Sequence, residues 1–275
     1  MRVRAKRTAA LLMAFAMIIM VCVPAYAAAK KGIYEEYIDS VIDTFSQQNA
    51  ESTTAPAQQV NGAYRITQLL EVMAYELDTK NKYSDYIDDI MNSFAENDEQ
   101  CTSAAQQLVN GLYRTVEMLE FICYEVDPDE KYDDYVASVM DSFLENDEAS
   151  SSAAQQAANG AYQSVKLLQV IAYALDKNDL YGDYIDSVMD LFSSNDAECT
   201  TANQQLVNGV YRMVQLLEVI DYEIDEKGQY DDRTELIMDR FTADDKKCNS
   251  AVQQSVNGLY KSVQLLENIV RVLDK

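Results

Sequence analysis

The chain has 275 residues, 46 Asp+Glu against 22 Lys+Arg, and a net charge of −24. A field of that sign repels nucleic acid and anionic lipid headgroups and favours cationic partners. The absence of His excludes Ser-His-Asp and Cys-His nucleophilic sites and His-ligated zinc, and the absence of Trp weakens a sugar-stacking platform.

The first thirty residues have the layout of a secretory signal. Arg2, Arg4, Lys6 and Arg7 are followed by an apolar run from about Ala9 to Val23, then Pro24 and the small-residue site Ala25-Tyr26-Ala27. The apolar run is short for a membrane span. Val21 before Cys22 is not the small residue that lipoprotein processing favours. The expectation is a signal peptide over 1–27 of bacterial appearance, cleavage before Ala28, and an extracellular or periplasmic location with no membrane span after cleavage. Cleavage removes four basic residues and no acid, leaving 18 Lys+Arg against 46 Asp+Glu, a net charge of −28.

From residue 34 onward the chain repeats itself every 49 residues. Asn-Gly recurs at Asn61-Gly62, Asn110-Gly111, Asn159-Gly160, Asn208-Gly209 and Asn257-Gly258, and Phe45, Phe94, Phe143, Phe192 and Phe241 keep the same interval. This marks a tandem array, with units at 34–82, 83–131, 132–180, 181–229 and 230–275 in one domain over 28–275.

Each unit predicts two helices. In the second unit, Tyr83, Tyr86, Ile87, Ile90, Met91 and Phe94 form one apolar stripe roughly 140° wide, with Asp85, Asp88 and Asp89 opposite. This is an outer helix buried on one face. A polar connection is expected over 95–101. The second helix, from about Thr102 to Val126, carries an apolar arc of about 240°, which requires neighbours on two sides. Pro128 stops it.

Asn-Gly is a turn signal, yet the apolar spacing runs through it from Val109 to Leu112, Tyr113 and Val116. A continuous helix is expected, with Gly62, Gly111, Gly160, Gly209 and Gly258 as structural positions of close helix approach. In the last unit Arg233, Thr234 and Arg271 replace Tyr, Ile and Tyr; this pattern points to a polar C-terminal cap and an open stack, not a closed ring. The layout resembles helical-hairpin solenoids of the tetratricopeptide or HEAT kind. The period exceeds a tetratricopeptide unit and the Trp-x-x-Leu-Gly signature is absent, so the resemblance is architectural and implies no function. The expected fold is all-α: an α-solenoid-like stack of five 49-residue hairpins, about ten helices.

Candidate chemistry is sparse. Asp43, Asp141, Asp190 and Asp239 share one repeat position, Asp88, Asp186 and Glu235 another, and Asp98, Glu99, Asp147, Glu148 and Asp196 lie near the connections. Such rows of oxygens suit Ca²⁺, but no Asp-x-Asx-x-Asx-Gly loop with a distal Glu is present, so they are expected to be solvated faces and no metal site is assigned. Catalytic residues and cofactors are expected to be absent, since no unit stands out and paired carboxylates are trivial to find in so acidic a chain. The tyrosines fall on the apolar stripes and are expected in the core with their hydroxyls at the rim. Cys101, Cys199 and Cys248 share one position; a Cys199–Cys248 pair stays open.

The candidate binding residues form a polar stripe on the second helix: Asn61, Arg65, Asn110, Arg114, Asn159, Asn208, Arg212, Asn257 and Lys261, joined by Gln107 and Glu117. Aligned by stacking, they would make an extended surface, although a ladder of inter-repeat hydrogen bonds and ion pairs explains their recurrence better, since packing demands invariance and a ligand surface would vary from unit to unit. The expected function is a non-enzymatic protein-interaction or ligand-binding scaffold for an unknown protein or cationic ligand, not nucleic acid. The alternative is a calcium- or cation-responsive structural protein of the cell envelope, and the third reading a carboxylate-dependent hydrolase.

Overall fold

The computed structural model describes residues 32–275, which contain ten α-helices and no strand. The signal segment and its cleavage site lie outside the described residues. In chain order the helices are α1 (Glu35–Glu51), α2 (Ala55–Leu77), α3 (Ser84–Gln100), α4 (Ala104–Val126), α5 (Asp133–Ala149), α6 (Ala153–Leu175), α7 (Gly182–Glu198), α8 (Ala202–Ile224), α9 (Asp231–Asp245) and α10 (Ala251–Leu273).

Local chemistry sets the ends. Ser103, Ser152, Thr201 and Ser250 cap the even helices, each accepting from the backbone N–H of the Gln three residues on. That Gln reaches back with its Oε1 to the N–H preceding the cap, as Gln106 does to Thr102 at 2.8 Å. This is a capping box, and the Ser/Thr-x-x-Gln spacing announces it in the sequence. Thr54, with Ala57 at the Gln position, makes no such bond. The polar 95–101 stretch is mostly helix, not connection: α3 runs to Gln100, and only Cys101–Ser103 separate it from α4.

Each of the four return connections turns on one residue with positive φ, Asn81, Glu130, Asp179 or Gly228, and Gly32 ahead of α1 has the same conformation. An Asp at the preceding helix end tightens the turn. The Asp78 carboxylate accepts from Lys82 and Tyr83 N–H, both at 2.8 Å, and Asp176 does the same for Leu180 and Tyr181.

The tertiary arrangement corrects the open stack. The long helices α2, α4, α6, α8 and α10 pack each on the next, and α10 packs back on α2. They form a closed ring of five, each hairpin turning the chain by about a fifth of a circle. Equivalent residues meet at matching levels, so the inner helices run parallel. Each short helix lies outside, on its own long helix and on the preceding one, and no short helix packs on another.

Arg233, Thr234 and Arg271 are therefore not a polar cap. Arg271 Nη2 pairs with Asp39 of α1 at 2.6 Å across the closure, where Tyr75 and Tyr173 donate to Asp88 and Asp186 elsewhere. The Asp274 carboxylate accepts from Tyr34 N–H at 3.0 Å, and the Asp274 carbonyl from Gly32 N–H at 2.5 Å. The helix-end aspartate thus serves the closing contact as it serves the other four.

The glycines show why the inner helices approach so closely. A Cβ on Gly111, Gly160 or Gly209 would lie 3.0 Å from the Cβ of Ala63, Leu112 or Ala161 on the preceding inner helix. On Gly62 it would lie 2.8 Å from Leu259 Cβ, again across the closure. Both residues of every Asn-Gly pair are inside the helix. On the helical wheel, Ile66, Leu70 and Leu77 fall between the directions of the two inner neighbours, toward the ring axis. The leucines equivalent to Leu70, namely Leu119, Leu168, Leu217 and Leu266, are buried, as are Thr115, Ser164, Met213 and Ser262 at the Ile66 level. The ring has a filled core. The Thr115, Ser164 and Ser262 hydroxyls satisfy themselves on the carbonyl four residues back.

Candidate functional site

The polar stripe does not face solvent. Asn61, Asn110, Asn159, Asn208 and Asn257 are buried, and each donates its side-chain N–H to the carbonyl of Phe45, Phe94, Phe143, Phe192 or Phe241 on the short helix of its own hairpin, at 2.9–3.0 Å. Arg65, Arg212 and Lys261 are buried too, and Arg114 is largely so. Arg65 donates to Gln68, Arg114 pairs with Glu117, Arg212 donates to Gln215, and Lys261 reaches Asp244 at 3.2 Å. The stripe is an internal fastening. The side opposite the apolar arc is where the outer helix of the same hairpin sits.

A second fastening joins neighbouring hairpins. The Tyr64, Tyr113, Tyr162 and Tyr211 hydroxyls donate to Asp98, Asp147, Asp196 and Asp245 on the next outer helix, and Tyr260 donates to Asn49 at 2.8 Å, closing the circle. Each of these side chains also accepts from a Gln on its own long helix, such as Gln107 on Asp98 at 3.0 Å and Gln156 on Asp147 at 2.8 Å. Burial, and then the bonded carboxylate, raise the four phenols paired with aspartate well above their ordinary value.

The acidic rows divide. Asp98, Asp147 and Asp196 are consumed by these bonds, and Asp88 and Asp186 accept from Tyr75 and Tyr173. Asp43, Asp141, Asp190, Asp239, Glu99 and Glu148 are exposed. Among the described residues no group of three or more Cys, Asp or Glu side chains is arranged to hold a metal ion, and no helix is long and apolar enough to cross a membrane. Cys101, Cys123, Cys199 and Cys248 are all free thiols.

One cluster escaped the sequence reading. Asp221 on α8, Thr234 on α9 and Asn268 on α10 are each at most 1% exposed. The Asp221 Oδ2 accepts from the Thr234 hydroxyl at 2.6 Å and from Asn268 Nδ2 at 3.0 Å. Burial pushes the Asp221 carboxyl up to about 6, with the two bonds opposing. The signal was present: these three polar residues stand where other units carry Ala74, Ile38 and Val72. Thr234 breaks the apolar stripe of its own helix, whereas Asp221 and Asn268 lie on helices whose patterns still read as amphipathic.

Comparison with family models, with curated proteins and with solved structures finds no match.

Proposed function

We propose that this chain is an exported, non-enzymatic scaffold of five tandem 49-residue units that engages a cationic partner through the outer faces of its ring. The observation that carries the reading is the division of the polar groups. The recurring amide, phenol and basic side chains are spent on internal fastenings, while carboxylates such as Asp43, Asp141, Asp190 and Asp239 recur at one exposed position on four outer helices. With a mature net charge of −28, such a surface steers cationic partners and loses its hold as salt screens it. Export is supported by the signal pattern of residues 1–27.

The test is capture by the immobilised mature chain from its native surroundings, with a variant carrying Asp→Lys at those four positions as control. The reading expects a partner retained at low salt, released on the order of a few hundred millimolar salt, and lost in a variant that melts like the parent. Retention unchanged in the variant, or no retention at low salt, overturns it.

A further inference from the structure

The outer helices stand apart, so grooves run down the outside of the ring, each floored by one inner helix and walled by its own outer helix and the next. Two bonds fix which side of an outer helix faces which groove. Asp88 and Asp186 accept from Tyr75 and Tyr173 on the preceding inner helix. Their position, with those three and seven residues on, therefore forms the wall toward the preceding hairpin. In the groove between α3 and α5 that wall is Ala137, Met140 and Leu144. Ala137 stands where the other hairpins carry Asp39, Asp88, Asp186 and Glu235, and Leu144 where they carry Ser46, Ala95, Ser193 and Thr242.

This groove is apolar on both walls and at its floor. Leu144 is 60% exposed, and Tyr86 on α3 and Tyr124 on α4 are exposed with it. Tyr124 is the counterpart of Tyr75 and Tyr173, and Ala137 denies it the carboxylate those two use. The groove between α7 and α9 also exposes two such side chains, Tyr184 and Leu191, but both are on one wall, and Glu235 and Thr242 stand opposite. The rim of the α3–α5 groove is anionic. Burial, then Glu120 and Glu117, push the Tyr86 phenol up to about 12; partial burial, then Glu120 and Asp133, raise that of Tyr124. Carboxylates of the floor and of the start of α5 thus lie beside the two tyrosines, and Asp89 is exposed one turn along the α3 wall. The floor cation Arg114 is spent on Glu117.

We propose that the α3–α5 groove docks one basic amphipathic helix of a partner protein, its apolar residues on Ala137, Met140 and Leu144 and its cations on the flanking carboxylates. Ala137 to Leu144 spans about 10 Å, two helical turns, the length that anchors at i, i+3 or i+4 and i+7 cover. Charge decides against a second copy of this chain: pairing two grooves would bring like-charged rims together on molecules of net charge −24. The inference rests on the cationic-partner reading and gives it a place on the ring and a partner shape.

The test is calorimetry on the mature chain with a synthetic helical peptide of about four turns, leucine at i, i+3, i+4 and i+7 and lysine elsewhere. The control peptides are a scramble of it, one with glutamine for leucine, and one with glutamate for lysine. The proposal expects saturable one-to-one binding of the first peptide, at least tenfold weaker binding of the scrambled and glutamine peptides, and none of the glutamate peptide. Leu144→Ser installs at an exposed position the residue found at Ser46 and Ser193. It is expected to weaken binding at least fivefold in a chain that melts like the parent. Leu180→Ser, at a still more exposed leucine in a return connection, is expected to bind as the parent does. No saturable binding, equal binding of the scrambled peptide, or equal effects of the two serine variants overturns the proposal. Self-association of the parent that Leu144→Ser abolishes assigns the groove to a second copy and overturns it as well. The two readings fail separately: Leu144→Ser leaves every carboxylate in place and the fourfold Asp→Lys variant leaves Leu144. A partner lost only in the latter removes the groove and keeps the scaffold.

Discussion

Gly160 sits where adding a side chain decides the sign of a substitution. In an open helix, Gly to a larger residue gains up to about 1 kcal/mol of helix propensity. Here a Cβ already stands 3.0 Å from Leu112 Cβ, so Gly160→Leu must push two inner helices apart. We expect a loss of about 1–3 kcal/mol in urea denaturation; a midpoint at or above the parent's would sink the close-approach account. Glu130 presents the opposite case. Its φ of 57° is the left-handed conformation that glycine holds at Gly32 and Gly228, so Glu130→Gly is expected to stabilise by up to about 1 kcal/mol once the added chain entropy is offset. Asp221 carries a pH signature. Burial raises its carboxyl from 3.8 to about 6, so the folded state holds the proton more tightly than the unfolded chain. The stability it contributes is full below about pH 4 and is lost as pH rises through 6, by roughly 1–3 kcal/mol. Asp221→Asn should flatten that part of the stability–pH curve, and an unchanged slope would refute the assignment.

At the scale of one helix, the caps provide an internal control. Ser152 accepts from Gln155 N–H at 3.3 Å, whereas Thr54 makes no side-chain cap bond. Ser152→Ala should therefore cost about 1 kcal/mol and Thr54→Ala much less; equal losses would mean that the caps act through something other than this bond. The helix periods, the wide apolar arc of the inner helices and the passage of helix through Asn-Gly were all readable, because they depend on spacing alone. The destination of the polar stripe was not. Asn110 bonds a carbonyl sixteen residues back, at Phe94, and helical spacing says only that such a side chain lies opposite the arc, not that a helix lies over it. The end of α3 is not legible in the sequence for a related reason: Ala95–Gln100 is polar, yet it is helical and its Asp98 is anchored by Tyr64 of the preceding hairpin.

The whole molecule is a circle, which changes what a truncation does. In an open array, removing a terminal unit costs that unit and one interface. Here deletion of 230–275 removes two inner interfaces, those of α10 with α8 and with α2, and exposes the apolar sides of both neighbours. We expect the four-hairpin chain to melt on the order of 10 °C or more below the parent or to associate, read by circular dichroism and by light scattering on a sizing column. A monomer that melts like the parent would contradict closure. The amino-acid sequence by itself determined the helices, their period and which of them lie inside, since those follow from the order of apolar and polar residues along one chain segment. Only the tertiary structure decided that the stack closes. Closure depends on the rotation, about a fifth of a circle, made at each Gly-lined contact, and on whether Arg271, Asp274 and Tyr260 meet Asp39, Tyr34 and Asn49 more than two hundred residues away. No local pattern records the sum of five rotations.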